Sequence, residues 1–141
     1  MRHRSQISDE YIRGLTEGEG TFTFCKSGRY SIPTFTLKMN ARDKKLLEMV
    51  RDHLELKNKV YEYNHQGKDG YKRGSQAMLI VREIGSLKNK VVPFFYGNLV
   101  GNKGTQFESW LEKMGSIPEV PESYKIIHKL HKFGWYDKKK R

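Results

Sequence analysis

The sequence predicts an α+β fold in which one four-stranded antiparallel sheet carries helices on a single face, in the order helix, hairpin, helix, hairpin, helices. Two patterns carry that prediction. Apolar and polar residues alternate in two pairs of short segments, and apolar residues recur at offsets of three and four in the segments between and after them. A length of 141 residues suits a single domain, 1–141, that buries its core without disulfides.

Ser8-Asp9-Glu10 supplies a cap and first-turn acids for a helix running to about Gly18, with Tyr11, Ile12 and Leu15 as its apolar positions. Thr21 to Lys26 alternates, with Phe22 and Phe24 on one face and Thr21, Thr23 and Cys25 on the other. Ser27-Gly28 signals a turn into a second strand from Tyr30 to Asn40. There Phe35, Leu37 and Met39 take the core parity and Thr34, Thr36 and Lys38 the opposite one. From Ala41 to Leu56 the pattern is helical, with Leu46, Leu47, Val50 and Leu54 as its stripe. Val60-Tyr61-Glu62-Tyr63 and Ala77 to Val81 form a second hairpin around a basic, glycine-rich loop, His65 to Gly74. Residues 84–114 read as helical with interruptions at Pro93, Gly97, Gly101 and Gly104, and Phe107, Trp110, Leu111 and Met114 form the last stripe. The core thus spans about 8–114. A rigid connector, Ile117 to Pro121, leads to a short helix around Tyr124 to Lys132, within a helical extension of about 118–134, and the basic tail 137–141 reads as solvated.

Composition narrows the function. The 27 Lys and Arg against 16 Asp and Glu give a formal net charge of +11, which suits a polyanionic partner, nucleic acid before an anionic membrane surface. No apolar run approaches the roughly 20 residues of a membrane-spanning helix. The opening Met1-Arg2-His3-Arg4-Ser5-Gln6 lacks the apolar segment of a signal peptide. The expectation is a soluble intracellular protein of the cytoplasm, nucleoid or an organelle. Cys25 is the single cysteine and has no disulfide partner.

The most informative stretch is Tyr11 to Gly20. Gly14 and Gly18 lie four residues apart on one helix face, and each costs about 1 kcal/mol relative to alanine. A face without Cβ atoms admits another backbone at close range. Glu17 and Glu19 stand where the helix dipole is already negative, so both carboxylates are disfavoured unless a cation is near. The motif therefore asks for a close helix partner and a metal ion.

Ile12-Arg13-Gly14-Leu15-Thr16-Glu17-Gly18-Glu19-Gly20, followed by Thr21-Phe22-Thr23-Phe24, resembles the LAGLIDADG motif of homing endonucleases. The paired strand through Phe35 and Leu37, Asp43-x-x-Leu46-Leu47-x-x-Val50, Lys59-Val60-Tyr61 and Lys103-x-x-x-Phe107-x-x-Trp110 follow in the family's order, so the resemblance covers about 8–114. It implies a LAGLIDADG homing endonuclease-like αββαββα domain. Gly97 to Gly104 repeats some of the glycine spacing but carries no carboxylate. Single-motif members act as homodimers, which implies an isologous contact through Ile12, Gly14, Leu15 and Gly18.

In the family the penultimate acid of the motif, here Glu19, ligates the metal, and the carbonyls of Gly18 and Gly20 face the same ions. The implied cofactor is Mg²⁺, with Mn²⁺ or Ca²⁺ as other occupants. The implied reaction is a staggered double-strand break in a long pseudo-palindromic DNA target, by an intron-encoded enzyme whose divalent ions stabilise the attacking and leaving oxygens. Lys103 is the candidate to support charge on the scissile phosphate. The sheet's open face, with Thr21, Thr23, Thr34, Thr36, Lys38, Tyr61, Tyr63 and Gln76, and with Arg29, Arg73 and Met78 beside them, would read base edges in the major groove. The chain departs from its relatives at Ala41, where they often place a glutamine that holds a water near the metal.

The rival reading is a catalytically inactive relative acting as an RNA maturase or DNA-binding regulator, whose mark would be a lost acid; Glu19 is present. A structural RNA-binding protein would give no reason for the Gly14/Gly18 face. Capping of nearby backbone is preferred to metal ligation for Glu17. His128 and His131 are read as surface histidines rather than zinc ligands, since two ligands do not make a site.

Overall fold

The computed structural model describes residues 6–66 and 72–139, and their side chains except at 65, 66, 72–74, 138 and 139. Helix α1 (Asp9–Glu19) leads without a break into β1 (Gly20–Ser27), which turns at Gly28 into β2 (Tyr30–Asn40). A 3-10 turn (Ala41–Asp43) opens α2 (Lys44–His53), and β3 (Val60–Gln66) and β4 (Lys72–Val81) form the second hairpin. The sheet is antiparallel throughout, in the order β1-β2-β4-β3. Its strands run further into the second hairpin than the alternation predicts, so the His65 to Gly74 loop is shorter than expected.

Register confirms the parity of the strands. On one face Phe22, Phe35 and Val81 form one cross-strand row, and Leu37, Leu79 and Val60 form the next. These residues join Ile12, Leu47, Val50, Phe95, Phe107, Trp110, Leu111 and Met114 from the helices in one buried cluster. Its centre is aromatic: the Phe22 ring lies 5.2 Å from Phe35, 5.0 Å from Phe107 and 5.0 Å from Trp110, centroid to centroid. The Trp110 indole N–H also donates to the Thr23 carbonyl at 2.8 Å, so one side chain fixes the long C-terminal helix to the edge strand β1.

Between β4 and that helix the chain differs from expectation. Pro93 does not interrupt the helix: α3 (Ile84–Ser86), a π-helical turn (Leu87–Val91) and α4 (Val92–Phe95) run on continuously. The Val92 N–H bonds to the Leu87 carbonyl, five residues back. That wider turn accommodates a residue without an N–H, with Pro93 in the first turn of α4. The real break is 96–101, and Gly104 lies inside α5 (Asn102–Ser116).

The extension packs back on the core. Helix α6 (Glu122–Lys132) lies along α5, and the Glu119 carbonyl accepts from the Ser31 N–H at 3.0 Å. His131 bridges the Tyr96 hydroxyl, at 2.7 Å, and Glu112, at 3.0 Å. Hydrogen bonds from Lys132 and then His131 hold the Glu112 carboxyl below the usual carboxylate range. The tail begins more firmly than a frayed end. Tyr136 is fully buried in a 3-10 turn (Tyr136–Lys139) and donates to the Lys88 carbonyl at 2.9 Å, and burial raises its phenol pKa well above the ordinary value.

Trp110→Ala is expected to cost about 3–5 kcal/mol in urea unfolding through lost packing. Trp110→Phe, which keeps most of the packing but leaves the Thr23 carbonyl without its donor, costs about 1–3 kcal/mol. Thr16 is fully buried, and among the described residues its Oγ1 has no hydrogen-bond partner. Thr16→Val keeps the shape and removes that hydroxyl, so it raises stability by about 1 kcal/mol in the same assay.

Candidate active site

Three faces of α1 and its C-terminal end build the site. Ser8 accepts the Tyr11 N–H through Oγ at 3.0 Å and starts the helix. Ile12 and Thr16, one turn apart, are fully buried and form the inward stripe. Ile12 is therefore unavailable to a second helix, which corrects its assignment to the dimer contact. The reason is angular: at about 100° per residue, Ile12 and Gly14 stand about 200° apart. Gly14 and Gly18 are exposed, and a Cβ built on either meets nothing within 4 Å. Leu15 is half-buried at the margin of the core. Tyr11, one of the apolar positions of the helix, is 47% exposed. It lies three residues before Gly14 and seven before Gly18, on the same outward face.

The lateral face is formed by Arg13 and Glu17. Arg13 donates to the Phe94 carbonyl through Nε at 3.2 Å and Nη2 at 3.0 Å, with its guanidinium 4.5 Å above the Phe94 ring. Glu17 accepts the Val100 N–H at 2.6 Å and the Gly101 N–H at 3.1 Å, as the capping reading expects. These residues border a cleft of about 460 Å³ that also includes Glu10, Gly14, Asn98 and Val100. Val100 is 94% exposed, and no sequence signal distinguishes it from a buried valine.

Glu19 differs from Glu17 in every respect. It is exposed at the last position of α1, and among the described residues it has no hydrogen-bond or ion-pair partner. The last turn contains no basic residue to offset the negative end of the helix. The chain reverses directly after it, because the Gly20 N–H caps the Thr16 carbonyl. A Cβ at Gly20 would stand 2.5 Å from Thr16 Cγ2, so only glycine fits this junction. Lys103, in the first turn of α5, extends its ammonium to the Gly20 carbonyl at 2.6 Å. Lys103 thus contacts the residue that directly follows Glu19 in the chain.

A divalent ion fits this donor set. One free carboxylate beside backbone carbonyls offers the hard oxygens that such ions prefer. Among the described residues no group of three His, Cys, Asp or Glu side chains converges in one chain.

On the open face, rows of partners run across three strands. Thr21, Thr36 and Ile80 make one, Lys38, Met78 and Tyr61 the next, and Asn40, Gln76 and Tyr63 the third. Thr21, Thr23, Lys38, Tyr61 and Tyr63 are exposed, and Thr36, Gln76 and Met78 are partly so. Arg29 is exposed at the first turn and donates to the Tyr30 hydroxyl at 3.1 Å. Thr34 departs from the expectation. It is 1% exposed, and its hydroxyl donates back to the Ile32 carbonyl at 2.9 Å, so a local bond takes up the group that would face a ligand. The Arg73 side chain lies outside the described residues. Asn40 was missed, although it completes a row, and its Oδ1 caps the next turn by accepting the Arg42 N–H.

Comparison with known proteins bears on the fold and the family. A relative from Mycosarcoma maydis, described as "Probable intron-encoded DNA endonuclease 1", is 33% identical over 94 residues, covering 65% of this chain and 31% of its own. The fold matches that of I-GzeII, a LAGLIDADG homing endonuclease solved with its DNA target, with a TM-score of 0.62 at 21% identity over 92% of this chain and 44% of that one. I-CpaMI, bound to uncleaved DNA, gives a TM-score of 0.64 at 16% identity, covering 97% of this chain and 44% of that one. The homing endonuclease I-TnaI gives 0.58 at 17% identity, covering 92% of this chain and 99% of that one. The chain thus spans less than half the length of the first three and nearly all of the last. Among the described residues no helix is long and apolar enough to cross a membrane. The model of the family described as LAGLIDADG endonuclease matches residues 12–114, from the motif helix to the last buried residue of α5, and the chain belongs to that family.

Proposed function

We propose that the chain is a site-specific DNA endonuclease that works as a homodimer and cuts both strands of a long, roughly palindromic target in the presence of divalent ions. The observation that carries this reading is the outward face of α1, glycine-notched and unpartnered, ending in the free carboxylate of Glu19 with Lys103 beside it. Two copies pairing through Tyr11, Gly14, Leu15 and Gly18 across a two-fold axis would bring two Glu19 carboxylates together between two helix C-termini. Such like charges repel, and only cations relieve them.

Glu19 and the carbonyl of Gly18 would hold the ions, whereas the Gly20 carbonyl, expected to join them, already accepts from the Lys103 ammonium. Bound there, Mg²⁺ would supply charge stabilisation to the attacking and leaving oxygens of phosphodiester hydrolysis. Lys103 adds a fixed positive charge beside the scissile phosphate. The open-face rows carry hydroxyl, amide and ammonium groups at the strand spacing of about 4.8 Å, suited to hydrogen bonds with base edges in a groove. The net charge of +11 draws the duplex in and makes binding salt-dependent. Residues 8–114 work as one domain with α6 as a brace, inside the cell where DNA is found. The larger relatives, of which this chain matches under half, fit the pairing of two such units.

Incubation with a library of duplexes carrying randomised inserts, followed by capture and sequencing of the cut ends, is expected to yield one staggered site in Mg²⁺ and none in EDTA. Glu19→Gln lowers the cleavage rate on that site by about a thousandfold, equivalent to about 4 kcal/mol, and leaves binding to it unchanged. Specific binding by the unaltered protein without cutting would favour the DNA-binding regulator instead, and salt-sensitive binding to RNA alone the maturase. Gly14→Leu fills the notch without touching the core. It converts the dimer to a monomer in sedimentation velocity and abolishes double-strand cutting, while the circular dichroism stays that of the unaltered protein.

A further inference from the structure

The two acids of the motif have different surroundings, and only Glu19 is free. Glu17 spends both carboxylate oxygens on the N–H groups of Val100 and Gly101, residues 83 and 84 positions further along the chain. Those donors belong to the turn that opens α5, whose N-cap Gly101 has no side chain to offer and whose first turn contains no acid. Helix α5 therefore takes its cap from α1. A carboxylate there satisfies orphan N–H groups and lies at the positive end of the helix dipole.

Arg13 does the converse one turn earlier. Its guanidinium holds the Phe94 carbonyl near the C-terminal end of α4, where a cation is favoured. The segment 96–101 is thus gripped at both ends by residues four apart on one face of α1, each with the charge its helix end prefers. The glycines are fitted to this clasp. A Cβ at Gly101 would stand 2.9 Å from Glu17 Oε1, and one at Gly104 would stand 2.6 Å from the Leu99 carbonyl oxygen. Lys103 follows two residues after Gly101 and reaches the Gly20 carbonyl at 2.6 Å.

We infer that Glu17 is a positioning residue, which clamps the start of α5 to α1 and thereby sets where the Lys103 ammonium stands relative to the Glu19 carboxylate. Its carboxylate is consumed inside the fold, so it takes no part in holding the metal. This rests on the reading of Glu19 and Lys103 given above. It deepens that reading by assigning the second acid of the motif to geometry.

The test is a double-mutant cycle between position 17 and position 103, read on the site recovered from the randomised library. Glu17→Ala is expected to lower the single-turnover cleavage rate about a hundredfold, as a misplacement of about 1 Å does. Glu17→Gln, which keeps one acceptor oxygen, lowers it about tenfold. Both leave the affinity for the duplex in Ca²⁺ within about twofold. In a Lys103→Met background, Glu17→Ala adds less than about twofold, because the group it positions is already gone. Full additivity in the cycle, or a rise in the Mg²⁺ concentration needed for cleavage by Glu17→Gln, would overturn the inference.

A second readout needs no activity. In competitive acetylation with acetic anhydride, Lys103 of the unaltered protein reacts more slowly than the exposed lysines, and Glu17→Ala brings it to their rate. An unchanged Lys103 rate also overturns the inference. If the protein cuts no duplex, the endonuclease reading fails while this readout still decides the clamp.

Discussion

A single helix of eleven residues has to serve four purposes at once, and the rest of the structure is arranged around that constraint. Ile12 and Thr16 point into the core, Arg13 and Glu17 hold the neighbouring segment, Tyr11, Gly14 and Gly18 face outward, and Glu19 ends the helix uncompensated. Residues three or four apart share a face, so the inward, lateral and outward purposes fall on separate faces of the helix. A helix this short is marginal alone, and two glycines weaken it further. Its stability comes from outside: the Ser8 cap, the burial of Ile12, and the two long-range tethers to 94–101.

The same constraint explains the irregular path after the sheet. The helical run 84–95 must deliver the Phe94 carbonyl to Arg13, and α5 must begin under Glu17. The π-helical turn and Pro93 set the phase of the first, and the glycines at 101 and 104 permit the close approach of the second. Helix α6 and the buried Tyr136 then lock this assembly from behind, through the Lys88 carbonyl and the bridge from Tyr96 to His131 and Glu112. What looks like a loose sequence of breakers is a set of close contacts.

The strands were legible because a period of two fixes parity once one buried residue is known. Phe22, Phe35 and Leu37 predicted the core rows, and the exposed rows followed. The stripe Phe107, Trp110, Leu111 and Met114 was legible for the analogous reason at a period of 3.6. The errors have identifiable causes. Ile12 was placed in the dimer contact because both sides of α1 carry apolar groups, although its angle to Gly14 excludes it. Thr34 has the correct parity for the open face, and only the bond to Ile32 shows that it turns back on its own strand. Pro93 was read as a break because a proline predicts one in an α-helix, whereas a π-helical turn absorbs it. Tyr136 is buried directly before the basic tail, at a position to which the sequence pattern assigned no role. Glu19 and Lys103 were singled out by the resemblance of their segments to the family motif, and the structure adds the bond from Lys103 to the Gly20 carbonyl, which no periodicity predicts.

The junction at Gly20 links the two halves of the proposed activity. Glu19 is the last residue of α1, Gly20 the first of β1, and Thr21 the first exposed residue of the open face. No loop intervenes to absorb error. Because a Cβ at Gly20 would collide with Thr16, and because the Gly20 carbonyl is held by Lys103, both sides of that peptide unit are fixed. The first position that would face a base is therefore tied, two residues along a rigid backbone, to the acid that would grip the metal. A duplex that fits the sheet in register would be carried by that link to the correct place for cutting, and one shifted along the groove would present the wrong phosphate. Selectivity of cleavage would then arise from the shortness of this connection as well as from the contacts of the sheet.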